Sequence, residues 1–138
     1  GARLTVLELR AALAGAREGF EVTLDPAALA ACDKVLSTST VLLNDTLDAV
    51  LAACTRARHR AFAMIGPGAG CLPDVLFARG VTVLGGTWIE SPAGFKSALG
   101  DGLPWGACAR KFALDAAAYP GFDALLARCR GATAPSRS

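Results

Sequence analysis

Histidine occurs once in the chain, as His59, and methionine and tyrosine also occur once each. A closed zinc site draws three or four His, Cys or carboxylate ligands to one point, so no preformed metal centre is expected. The five cysteines (Cys32, Cys54, Cys71, Cys108 and Cys129) do not make up the shortfall, because no two of them form a Cys-x-x-Cys pair. Scattered and odd in number, they read as free thiols of a reducing compartment. An excess of one charge is also missing. Fourteen Lys and Arg against twelve Asp and Glu leave a net charge of +2, too balanced to argue for nucleic acid or an anionic membrane as partner. No apolar stretch reaches the roughly 18 residues of a bilayer span. No basic-then-apolar leader stands before the first strand-like run, so the expectation is a cytoplasmic location without membrane attachment.

What is present is apolar. The hydrophobic fraction is 53% and the charged fraction 19%, a balance that suits a buried parallel sheet or a surface hidden against a partner. Four β-rich runs stand out: "RLTVLEL" (3–9), "DKVLST" (33–38), "AFAMIG" (61–66) and "VTVLGG" (81–86). They are mostly apolar rather than alternating, the pattern of strands covered on both faces. Between the second and third, Leu47, Val50, Leu51 and Cys54 mark one face of a helix, with Asp45 and Asp48 near its start and Arg56, Arg58 and Arg60 at its end. Pro73, Asp74 and Gly80 punctuate a second helix, and Ser91 with Pro92 opens a third carrying Phe95, Ala98 and Leu99 on one face. "ARKFAL" (109–114) reads as an edge strand, and "FDALLARCR" (122–130) as a terminal helix with Leu125, Leu126 and Cys129 turned inward. The expectation is one Rossmann-like α/β domain over 1–130, a three-layer fold with a mainly parallel sheet of four or five strands flanked by helices. A disordered Gly/Pro/Ser-rich tail over 131–138 would follow.

In such sheets ligands bind beyond the carboxyl ends of the strands, which selects the loops 39–44, 66–70 and 85–92. Gly66-Pro67-Gly68-Ala69-Gly70 followed by a helix start is a recipe for holding an anion on bare backbone; the alternative is a plain tight turn. A P-loop is excluded because Cys71-Leu72-Pro73 stands where Gly-Lys-Ser/Thr belongs. NAD is not expected either, since the third glycine of GxGxxG is missing and Gly85 and Gly86 replace the acidic ribose partner. Thr38, Ser39, Thr40, Asn44 and Thr46 either cap the next helix or add directional hydrogen bonds to a ligand held by the glycine turn. Cys71, beside a helix start, is a candidate thiolate ligand or nucleophile; the alternative is a small apolar wall residue. Glu90 is the other catalytic candidate, and Cys71 with Glu90 or Cys108 would make only a partial metal site. Trp88 and Trp105 could wall a pocket or pack on the sheet edge.

The blocks "LTVLEL" (4–9), "TSTVLLNDT" (38–46) and "IGPGAGCLPDVLFARGVTVLGG" (65–86) together resemble a known family, the Rossmann-like domains described as "putative heavy-metal chelation". The second block is similar to a pattern of the kind TGTTLVNGT, and the third to GPTAPLSPELLFELGVDVLAG. The resemblance implies a ligand site built from these two loops, with Thr38, Thr40, Asn44, Thr46, Gly66 and Pro67 at the matching positions. It implies a metal ion or metal chelate as ligand, in metal or cobalamin-type cofactor metabolism. Ser39 and Asp45 stand where that pattern carries glycine, and Gly68 where it carries threonine. The family domain usually follows an enolase-like one, and this chain resembles it from its second strand onward. An exposed sheet edge is therefore expected, to be covered by a second copy or a partner chain. Three functions remain open: a small-ligand-binding domain, an enzyme or enzyme subunit acting on such a metabolite, and a non-catalytic interaction subunit.

Overall fold

A computed structural model describes residues 2–55 and 61–132. Its centre is a four-stranded sheet in the order β4 (Lys34–Thr38), β5 (Ala61–Ile65), β6 (Val83–Ile89) and β7 (Ala109–Asp115). The first three strands run parallel and β7 closes one edge antiparallel to β6, as the edge-strand reading of 109–114 expects. The pleat sends alternate side chains to opposite faces. On one face Val35, Phe62, Met64 and Leu84 are buried beneath Val50, Leu51 and Cys54 of α1 (Leu47–Thr55) and Leu29 of a 3-10 turn over Pro26–Ala31. Burying each such large side chain is worth about 1.5–3 kcal/mol.

The apolar composition of these strands predicts cover on both faces, and that expectation is corrected. Leu36, Ala63 and Val83 share a register row on the opposite face, and Thr38, Ile65 and Gly85 the next. There Leu36 is 71% and Ile65 44% exposed. The reason lies in the winding. Both β4–α1–β5 and β5–α2–β6, with α2 spanning Asp74–Ala78, step across the sheet in one direction. Right-handed crossovers stepping one way place their helices on one face.

The run at 3–9 is a second correction. It yields β1 (Leu4–Leu7), which joins not the main sheet but a three-stranded one in the order β1-β3-β2, with β2 at Gly15–Arg17 and β3 at Phe20–Thr23. β1 pairs parallel to β3, and the hairpin β2–β3 turns at Glu18-Gly19, where Gly19 has φ +81°. A three-residue strand is too short to show any periodicity, so sequence pattern misses it.

The stripe Val50, Leu51 and Cys54 of α1 is buried as read; Arg56, Arg58, His59 and Arg60 lie outside the described residues. Ser91 caps α3 (Pro92–Gly100), its Oγ accepting from the Gly94 N–H at 3.2 Å. α4 (Phe122–Ala132) departs from expectation. Leu125 is 37% exposed, Cys129 is exposed, and of the three expected inward residues only Leu126 is half-buried. The helix is tethered at its start instead. The Asp74 carboxylate accepts from the Phe122 N–H and from the Tyr119 hydroxyl, both at 2.9 Å, and Tyr119 packs edge-on against Phe77 at 5.5 Å. The Phe122 N–H bond, aided by Tyr119, holds the Asp74 carboxyl below the usual carboxylate range. Tyr119 is pushed up, by partial burial first and by Asp74 second. No described helix is long and apolar enough to cross a membrane.

Candidate functional site

The loops after β4 and β5 meet at the carboxyl ends of the parallel strands, as the sequence anticipates. From Thr38 the chain enters a 3-10 turn over Ser39–Leu42. Ser39 is only 3% exposed, and its Oγ accepts from the Gly68 N–H at 3.1 Å. The Gly66 N–H donates to the Gly85 carbonyl at 2.9 Å, and the Ala69 N–H to the Gly66 carbonyl at 3.1 Å. Three amides of the glycine turn are therefore committed to acceptors within the protein. Gly66 has φ +137° and ψ 177°, backbone essentially reserved for glycine, and a methyl group there would overlap the Ser39 hydroxyl. Packing of one loop on the other explains Gly66 and Gly68. Nor does the turn open straight into a helix. Pro67–Ala69 forms a 3-10 turn, Gly70 to Pro73 follow, and α2 has five residues.

In the companion loop, Asn44 Oδ1 accepts from the Thr46 hydroxyl at 2.6 Å and from its N–H at 3.3 Å. Thr46 in turn accepts the first backbone bond of α1 from Val50. This is the local turn that Asn and Thr favour ahead of a helix. Asp45 takes φ +57°, a left-handed conformation that Asp tolerates, at a position where the family pattern carries glycine. Thr38 and Thr40 remain exposed. The two other departures from the pattern, Ser39 and Gly68, touch each other: a Cβ at 68 would stand 3.2 Å from the Ser39 Oγ.

A half-open cleft of about 290 Å³ lies just past the end of β5, between Ile65 and Gly66 on one side and Gly85, Gly86, Thr87, Lys111 and Phe112 of the β6–β7 ribbon on the other. Only Gly66 of the residues read from sequence as ligand-binding lines it. Thr38 stands beside it, in register with Ile65 on the same face. The Lys111 ammonium donates to the Thr87 hydroxyl at 2.8 Å and sits 5.7 Å from the centre of the Trp105 ring. Trp105 packs edge-on against Phe95 at 5.3 Å, whereas Trp88 is 62% exposed. A Cβ on Gly85 would meet Ile65 Cγ2 at 2.9 Å, and one on Gly86 would strike the Phe112 ring. The signal that finds this cleft is the double glycine of "VLGGT" within a strand, which marks close approach of other groups to the backbone.

The other candidates are dispersed. The Glu90 carboxylate accepts from Arg110 Nε at 2.9 Å in an exposed ion pair. Cys71 is exposed on the loop before α2, and Cys108 is half-buried beside Gly94. Among the described residues no group of three or more His, Cys, Asp or Glu could hold a metal ion, so Cys71, Glu90 and Cys108 are not gathered into one ligand set. These residues do not fit a resident metal centre. Cys54, buried under the sheet, is pushed up to about 11 by burial and by nearby Cys32, which makes it an inert thiol.

The fold has counterparts among solved structures of DUF364 proteins of unknown function. One, from Pyrococcus horikoshii at 2.70 Å, superposes with a TM-score of 0.65 at 18% identity, over 80% of this chain and 46% of that one. Another, from Desulfitobacterium hafniense DCB-2 at 2.01 Å, gives 0.61 at 21% identity, over 83% and 53%. The chain thus spans about half the length of these solved relatives. No curated protein matches it. Residues 1–118 match the model of the family described as "Putative heavy-metal chelation", and the chain belongs to that family, DUF364.

Proposed function

We propose that this domain binds a small anionic metabolite or a metal chelate in the cleft beside Lys111. The observation that carries the reading is a cleft at the carboxyl end of a parallel strand with one ammonium group on its wall. Ligands of open α/β sheets lie at that end. Lys111 supplies charge, the Thr87 and Thr38 hydroxyls supply direction, and Ile65 and Phe112 supply apolar wall. The metal of the family's description enters as part of the ligand, since the described donors do not assemble to chelate a bare ion.

The test uses citrate and cobalt(II) citrate as anion and chelate probes, titrated calorimetrically into the 138-residue chain. A charge-assisted hydrogen bond is worth about 1.5–3 kcal/mol, so Lys111→Met should weaken binding at least about tenfold without shifting the thermal midpoint of the free protein. Equal affinity in Lys111→Met removes the cleft as the site.

A further inference from the structure

Lys111 stands between two hollows, and the anion reading uses only one of them. A second cleft, of about 350 Å³, is lined by Pro104, Trp105, Gly106, Ala109 and Lys111 itself. The register of the β6–β7 ribbon sets how the two are joined. Gly85 faces Ala113, Thr87 faces Lys111 and Ile89 faces Ala109. Alternate residues of a strand share a face, so Ala109, Lys111 and Ala113 form one row with Lys111 in the middle. That row runs about 13 Å from Ala113 to Ala109, at roughly 3.3 Å per residue. The first cleft lies on the Gly85 side of Lys111 and the second on the Ala109 side.

The second cleft has its own chemistry. Lys111 is the one charged side chain on its wall, and the rest is a proline ring, an indole, a glycine and an alanine. The indole is held in place. Trp105 is half-buried and packs edge-on against Phe95 of α3 at 5.3 Å, and the Lys111 ammonium stands 5.7 Å from its ring centre. A fixed aromatic ring favours other rings at its face or edge over saturated groups of the same size. An ammonium beside it adds an anchor for negative charge.

We infer that the second cleft takes the flat body of an aromatic acid whose anionic head is held at Lys111. The inference rests on the anion reading of the neighbouring cleft and narrows it. A small anion uses Lys111 alone, whereas an aromatic acid also covers Trp105, Pro104 and Ala109.

Calorimetric titration of the 138-residue chain tests it with three probes: citrate, 2-naphthoate and decahydro-2-naphthoate, the last equal in charge to naphthoate but saturated. In the unaltered chain 2-naphthoate should bind at least about threefold tighter than its saturated counterpart, a comparison that needs no variant. Ala109→Leu fills the second cleft from the strand without touching the indole. It should weaken 2-naphthoate at least about tenfold and leave citrate unchanged, which also shows that the variant is folded. Lys111→Met should weaken both. Equal binding of the two ring acids, or 2-naphthoate affinity untouched by Ala109→Leu, overturns the aromatic subsite while citrate that still depends on Lys111 leaves the anion reading standing. If neither citrate nor 2-naphthoate responds to Lys111→Met, the anion reading fails and this inference falls with it.

Discussion

Gly66→Ala probes how the two loops are locked together. The native backbone there, φ +137° and ψ 177°, costs an L-residue about 1–3 kcal/mol. The added methyl also overlaps the Ser39 hydroxyl. Ser39 is 3% exposed and cannot swing outward, so overpacking adds about 1–3 kcal/mol. A total near 4 kcal/mol follows, a large part of the roughly 5–15 kcal/mol that holds a domain folded. In Ser39→Gly the overlap disappears and only the acceptor for the Gly68 N–H is lost, about 1 kcal/mol. The double variant should therefore be about 1–3 kcal/mol more stable than the two single losses predict. Urea denaturation followed by tryptophan fluorescence measures all three. Strict additivity, or a Gly66→Ala loss below about 1 kcal/mol, would refute the loop-on-loop account.

Phe62→Ala, which empties the centre of the core where Phe62 is 1% exposed, should cost about 3–5 kcal/mol in the same assay; a loss under about 2 kcal/mol would show that the core collapses onto the space. The lowered Asp74 carboxyl contributes stability that is present above its unfolded value of about 3.9. That contribution fades as pH falls through its lower folded value, so the Phe122 amide signal should shift in acid, and Asp74→Asn should abolish the shift. Iodoacetamide at pH 8 should label exposed Cys71 well before buried Cys54, whose thiol is pushed up to about 11; peptide mass spectrometry showing equal labelling would contradict the packing of α1.

Long periodic segments with marked ends were legible in the sequence. The stripe Val50, Leu51 and Cys54 of α1 and the Ser91-Pro92 opening of α3 are local signals, and local physics satisfies them. The meeting of the loops at 39–44 and 66–70 was legible too, because strand direction alone brings them to one end of the sheet. What was hidden depends on partners far away in sequence. "RLTVLEL" reads as one more sheet strand, yet its pairing partner is β3, and nothing local says so. The apolar face of Leu36 and Ile65 looks like core, because composition records what a face is suited to and not whether it is covered. Lys111 was passed over for the same reason. It reaches the cleft only because β7 returns antiparallel beside Gly85 and Thr87, a register that a lone charged residue in an edge strand does not announce.

The tether between Asp74 and Phe122 has a mechanical consequence. The segment from β6 through α3 to β7 is an arch with both feet on α2: Val81 is bonded to the Leu76 carbonyl at 3.1 Å, and Phe122 to the Asp74 carboxylate at 2.9 Å. Between those feet β6 stays paired with β5 and Leu84 is fully buried, so the arch is locked into the sheet. The Asp74 carboxylate therefore ties the start of α4 to that locked body, and its loss would free α4 while leaving β6 in register.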